Sequence, residues 1–205
     1  MVGVIDYGMG NLLSVTSAIE MVGQTVKICH APEEITGVDL LVLPGVGAIE
    51  HCMRQLREKA WIEKLNQAVL VQKKPILGIC LGMQAMAKTS DEGGNHPCLG
   101  WFDSEVVRLQ PSDSQLRVPQ IGWNPTTYEK GSPYFRGLPA EPEFYFVHSY
   151  AMKCKNESEV VAWCDHGGRV TAAVAKENIF ATQFHPEKSQ DYGLKVLENF
   201  FKHFA

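Results

Sequence analysis

Pro75-Ile-Leu-Gly-Ile-Cys80-Leu-Gly-Met-Gln84 is the stretch that decides the fold. Pro75 to Ile79 is a short apolar run, the pattern of a strand buried on both faces of a parallel sheet. A helical pattern from Leu81 to Lys88 follows with no linker. Cys80 therefore stands at a strand-to-helix turn between Gly78 and Gly82, the cysteine counterpart of the nucleophile elbow Gly-x-Ser-x-Gly. Such a turn leaves no room for Cβ atoms beside its central residue, and the first N–H groups of a helix favour a thiolate over a thiol. With six cysteines and 18 glycines in 205 residues, roughly 0.05 such matches arise by chance. The competing reading is a core cysteine beside packing glycines.

Working outward, short β-branched runs alternate with helix-length amphipathic segments, which predicts a parallel sheet covered by helices. Val2–Ile5 reads as a strand, Asn11–Val22 as a helix stopped by Gly23, and Thr25–Cys29 as a second strand. Asp39–Leu43 reads as a buried central strand ending in the loop Pro44-Gly-Val-Gly47, and helical segments fill residues 48–71. The C-terminal half differs, because Gly93-Gly94, Pro119, Gly131-Ser-Pro133 and Gly167-Gly168 separate strand-like runs with few long helices between them. Antiparallel additions are expected there. Glu159–Cys164 and Arg169–Ala175 read as a hairpin, Ile179–Phe184 as a further strand, and Ser189 as the cap of a last helix reaching His203. No linker divides the halves, so residues 1–205 are expected to form one domain.

Composition narrows the function. The chain is 45% hydrophobic and 20% charged, with a formal net charge of −4, which offers no general attraction to nucleic acid or an anionic membrane. No apolar run reaches the roughly 18 residues of a membrane span, and the N-terminus lacks a basic signal region, so a cytoplasmic protein is expected. The cysteines at 29, 52, 80, 98, 154 and 164 form neither a Cys-x-x-Cys pair nor a zinc-spaced cluster; no metal is expected. Asp6-Tyr-Gly-Met-Gly10-Asn11 lacks the third glycine of a dinucleotide loop, because Leu13 stands in its place, and reads as a tight turn capped by Asn11.

A thiolate needs a base. His185 ends a strand, and Pro186 favours extended geometry for it. In an extended segment residues i and i+2 point the same way, so Glu187 can fix the tautomer of His185; a structural His-Pro turn with an exposed Glu187 is the rival. The N–H of Leu81 can supply one oxyanion donor, and Pro44-Gly-Val-Gly47, at the end of a neighbouring strand, a second. His148-Ser-Tyr150, polar and at a strand end, can line a pocket.

Gly78-Ile-Cys-Leu-Gly-Met-Gln84 together with His185-Pro-Glu187 resembles the triad-type, class I glutamine amidotransferases over the whole chain. Within them, Asp6-Tyr-Gly-Met-Gly-Asn11, Pro44-Gly-Val-Gly47, Val118-Pro-Gln-Ile-Gly-Trp-Asn124, Tyr145-Phe-Val-His-Ser-Tyr150 and Phe184-His-Pro-Glu-Lys-Ser189 resemble the glutaminase subunits of imidazole glycerol phosphate synthases. The resemblance implies a flavodoxin-like α/β domain that hydrolyses L-glutamine and passes ammonia to a separate cyclase subunit, a (β/α)₈ barrel of histidine biosynthesis, in a heterodimer. It implies Cys80 as nucleophile, His185 as base, Glu187 as its orienting partner, Leu81 and the Gly45-Val46 peptide as oxyanion cradle, and no cofactor. Gly47, Gln84, Glu92, Ser149 and Tyr150 would surround the glutamine, while Lys188 and Asn11 would face the partner. Gln120 departs from the histidine found in many relatives. Rival readings are a glutaminase subunit of anthranilate, aminodeoxychorismate or pyridoxal phosphate synthesis, a Cys-His peptidase, and a non-catalytic binding module of the same fold.

Overall fold

The computed structural model describes all of residues 1–205. Its first half alternates strands and helices: β1 (Val2–Ile5), α1 (Leu12–Met21), β2 (Val26–Cys29), β3 (Leu40–Gly45), α2 (Ile49–Glu58), α3 (Trp61–Asn66), β4 (Ile76–Cys80) and α4 (Leu81–Ala85). The second half is mainly strands: β5 (Thr89–Ser90), β6 (His96–Pro97), β7 (Ser104–Arg108), β8 (Gln120–Tyr128), β9 (Glu143–His148), β10 (Tyr150–Cys154), β11 (Val160–Asp165), β12 (Arg169–Lys176) and β13 (Ile179–Thr182), then α5 (Gln190–His203).

Nine strands make one sheet in the order β2-β1-β3-β4-β13-β12-β11-β8-β9. β2 to β13 along that order are parallel neighbours, and every later pairing is antiparallel. The order 2-1-3-4 at the parallel end is the flavodoxin-like one, whose ligands sit beyond the carboxyl ends of the strands. A second sheet, β10-β7-β5-β6, lies beside it, and the chain passes between the two at Ser149.

Period-two alternation explains the layering. Leu41 and Leu43 of β3 pack into one core with Ile49, Leu56, Trp61 and Leu65 of α2 and α3. Leu40 and Val42 pack into the other with Val15 and Ile19 of α1 and Val196 and Phe200 of α5. Helices thus cover both faces of the parallel strands, which is why those strands read as unbroken apolar runs. No helix is long and apolar enough to cross a membrane.

Three local expectations are corrected. The helix after Cys80 ends at Ala85 rather than Lys88, because the carbonyls of Ala85, Met86 and Ala87 accept from Leu99, Gly100, Trp101 and Phe102 instead of continuing a helical ladder. Ser189 occupies the N-cap position of α5 without a capping hydrogen bond; its hydroxyl donates to His185 O at 2.6 Å and accepts from Tyr145 N at 3.0 Å. Pro186–Lys188 is a 3-10 turn rather than extended chain. Asn11 does cap α1, accepting from Ser14 N at 3.3 Å.

Candidate active site

Cys80 is the last residue of β4 and the N-cap of α4, with φ 54° and ψ −107°. This backbone conformation costs a side-chain-bearing residue on the order of 1–3 kcal/mol and persists only where the surroundings enforce it. They do so here through Gly82: a Cβ there would lie 1.9 Å from the Leu43 carbonyl oxygen. The elbow is therefore pressed directly onto β3, where Gly45 is the register partner of Cys80. A Cβ on Gly45 would in turn meet Tyr7 Oη at 2.5 Å and Leu81 Cβ at 2.9 Å.

β13 brings His185 to the same edge. Its Nδ1 lies 2.8 Å from Oε1 of Glu187, and both side chains are only 2% exposed. Glu187 reaches the ring by folding back over the 3-10 turn, which Lys188 N→His185 O and Ser189 N→Pro186 O close. With the carboxylate as acceptor, Nδ1 carries the proton. Nε2 makes no hydrogen bond and is the ring nitrogen left free in the cleft that Cys80 also lines. Burial opposes a charge on this ring, but the neighbouring Cys80 and the hydrogen-bonded Glu187 carboxylate outweigh it and hold the His185 pKa up at about 9.

A cleft of about 380 Å³ opens over the elbow. Val46, Gly47, Cys80, Leu81, Gln84, Glu92, Ser149, Tyr150 and His185 all line it. Glu187 stands behind His185, and Gly45 lies beneath the elbow. Asn11 and Lys188 are outside the cleft: α1 packs on the 186–188 turn, and Lys188 Nζ sits 5.8 Å over the Tyr145 ring. A larger groove of about 560 Å³, between Arg108, Lys153 and Arg169, contains none of the triad.

Individual contacts give these side chains distinct tasks. Glu92 Oε2 accepts from Ile49 N at 2.8 Å, anchoring the start of α2 while its carboxylate faces the cleft. Gln84 donates to the Tyr150 carbonyl at 2.8 Å and to Gln183 Oε1 at 3.0 Å. His148 also lines the cleft; its Nδ1 donates to the same carbonyl at 2.8 Å. Burial pushes its pKa down to about 4, so its ring is neutral. No group of three or more His, Cys, Asp or Glu side chains is placed to hold a metal.

Two residues, one lining the cleft and one buried behind the elbow, carry no individual motif in the sequence. His148 was legible only as part of a polar trio. Gln183, fully buried, donates to Cys80 Sγ at 3.6 Å. The i, i+2 argument that links Glu187 to His185 points backward to Gln183 as well, and its polar side chain between Thr182 and Phe184 was the available signal.

A strained cysteine facing a buried histidine–carboxylate pair, beside a glycine-rich strand end, can perform acyl transfer through a thioester. Comparison with known proteins agrees. Subunit HisH 1 of imidazole glycerol phosphate synthase from Campylobacter jejuni (strain RM1221) is 46% identical over 202 residues, covering 98% of this chain and all of that one. Subunit HisH 2 from Pseudomonas aeruginosa PAO1 is 40% identical over 200 residues, 98% of each chain, and subunit HisH from Brucella suis is 44% identical over 212, again 98% of each. Among solved structures, PurLQS from Thermotoga maritima superposes with a TM-score of 0.76 at 19% identity, over 100% of this chain and 98% of that one. A structure described as a glutamine amidotransferase gives 0.75 at 22% identity over 98% of each; both establish likeness of fold. The family model for class-I glutamine amidotransferases matches residues 3–204, and by that near-complete match this chain belongs to the class-I glutamine amidotransferase family.

Proposed function

We propose that this chain is the glutaminase subunit of an imidazole glycerol phosphate synthase, and that residues 1–205 act as one catalytic domain. The observation that carries the chemistry is the meeting of Cys80 with the His185–Glu187 pair in one cleft. Cys80 Sγ attacks the side-chain amide carbon of L-glutamine, with its proton held on His185. The N–H of Leu81 and the Gly45-Val46 peptide receive the oxyanion. His185 returns the proton to the departing nitrogen, ammonia leaves, and a γ-glutamyl thioester remains on Cys80. Water, deprotonated by His185, cleaves the thioester to glutamate and restores the thiol. Glu187 keeps the ring oriented throughout and stabilises its charged form. Glu92 pairs with the α-ammonium group, and Gly47, Gln84, Ser149 and Tyr150 surround the rest of the glutamine.

The relatives are named as subunits of a synthase, which supports a partner that consumes the ammonia. In this reading the partner is the cyclase subunit, the assembly is a heterodimer, and Asn11 and Lys188 lie at its contact. Supporting it, Trp123 and Ile121 are 42% and 63% exposed on β8, and the Trp123 ring packs against Tyr145 at 6.0 Å, directly beneath Lys188. Exposed aromatic side chains such as Trp123 are enriched at interface centres. Six free cysteines are in keeping with a cytoplasmic location.

The test is covalent labelling by a glutamine-analogue electrophile read by mass spectrometry. One equivalent on Cys80, lost in His185→Ala, supports a glutaminase; labelling spread over other cysteines contradicts it.

A further inference from the structure

The short helix after the elbow leaves the nucleophile with little electrostatic help from a helix end, since α4 is only five residues long. A different donor occupies that role. Gln183 is fully buried at the end of β13, its backbone N–H bonded to Ala172 O at 2.8 Å, and its side-chain Nε2 lies 3.6 Å from Cys80 Sγ.

The direction of this amide follows from its neighbours. The Tyr150 carbonyl can only accept, so Gln84 must present its NH₂ group to it, at 2.8 Å. The same NH₂ group lies 3.0 Å from Gln183, which must therefore turn its oxygen to Gln84. What remains is the Gln183 NH₂ group, aimed at sulfur. The chain Tyr150 C=O, Gln84 amide, Gln183 amide, Cys80 Sγ runs in one sense, and each bond polarises the next.

We propose that Gln183 is a positioning residue of the glutaminase reaction: its amide N–H holds the Cys80 sulfur in its attacking orientation and stabilises the thiolate, with its own orientation set by Gln84 and Tyr150 in the glutamine cleft. The inference deepens the proposed function and rests on Cys80 being the nucleophile. A hydrogen bond to an ionised acceptor is stronger than one to a neutral acceptor, so an N–H donor at this position favours thiolate over thiol. The arrangement also ties substrate contact to nucleophile geometry, because a ligand that shifts Tyr150 or Gln84 shifts the donor behind the sulfur.

The other titratable groups around Cys80 are His185, backed by Glu187, Tyr7 under Gly45, and Glu92 and His148 across the cleft. All are unchanged in a Gln183 variant, so a shift in Cys80 titration reports the lost donor. The experiment is the pH dependence of Cys80 alkylation by iodoacetamide in the full chain, for the native protein, Gln183→Met and Gln183→Leu, with the alkylated residue identified by mass spectrometry. Met keeps the length of the side chain and Leu most of its volume; both remove the donor without adding a charge, and Leu is a second route should Met not fold. The expected result is a Cys80 midpoint raised by about one pH unit, equal to about tenfold less thiolate on the acid limb. With glutamine and the partner present, kcat falls about tenfold and KM stays within about twofold. An alkylation profile unchanged in the folded variant overturns the proposal. Absence of selective Cys80 reaction in the native protein overturns the glutaminase reading itself, so the two failures are distinct.

Discussion

His185 Nδ1 and Glu187 Oε1 stand 2.8 Å apart, both side chains closed off from solvent, across a turn of only three residues. The pair defines which ring nitrogen is free for Cys80. Glu187→Gln keeps the shape but allows an amide N–H to face Nδ1, which stabilises the wrong tautomer. Glutaminase kcat is expected to fall about ten-thousandfold, the scale reached when the third member of a triad is neutralised, with KM little changed. Steady-state glutamate release measures it.

The same pair makes stability depend on pH. His185 is raised from 6.5 to about 9, so its contribution is fully present below about pH 6.5 and is lost as pH rises through about 9. The shift corresponds to at most about 3 kcal/mol. Removing Cys80 removes one of the two groups that overcome the burial of the ring. Urea unfolding of the native protein at pH 6.5 and pH 9.5 is expected to show a larger loss than in Cys80→Ala; equal losses count against the coupling.

Gly82 and Gly78 flank the elbow and predict different costs. A Cβ on Gly82 would lie 1.9 Å from the backbone oxygen of Leu43, which cannot move without disturbing the β3–β4 ladder. A Cβ on Gly78 would meet the Met86 side chain at 2.7 Å, and that side chain can swing aside. Gly82→Ala is expected to lose about 3 kcal/mol or more, and Gly78→Ala about 1 kcal/mol. Denaturant midpoints under matched conditions decide it.

Glu92 holds Ile49 N with one oxygen and faces the cleft. Glu92→Gln retains an acceptor for Ile49 N but loses the charge proposed to pair with the α-ammonium group of glutamine. A rise in KM of about tenfold or more, with kcat nearly preserved, is expected. A fall in kcat with unchanged KM would place Glu92 in the chemistry instead.

The parallel half of the fold was legible because buried strands such as Leu40–Gly45 and Ile76–Cys80 carry their signal locally, as apolar runs broken by glycine. The elbow was legible for the same reason: Gly78, Cys80 and Gly82 are close in sequence and serve one turn. Less visible were features fixed by distant partners. The helix after Cys80 stops at Ala85 because residues 99–102 take its carbonyls, and nothing within residues 81–88 announces that. Ser189 looked like a cap, but the backbone of His185 and Tyr145 claims its hydroxyl. Glu187 was paired with His185 on the expectation of extended chain; the pairing is there, through a turn imposed by Pro186 at its first position. Gln183 lacked a motif of its own, and its task emerges only when β13, α4 and Tyr150 meet.

In the proposed function this cleft releases ammonia for a partner subunit. Its most direct test is the rate of glutamate release from glutamine by this chain alone, then with an imidazole glycerol phosphate cyclase subunit, then with that subunit and its nucleotide ligand. A slow basal rate that rises steeply only when both are present is the predicted result. A rate unchanged by the partner and its ligand, with Cys80 still labelled stoichiometrically by the glutamine analogue, would contradict the assignment to this synthase.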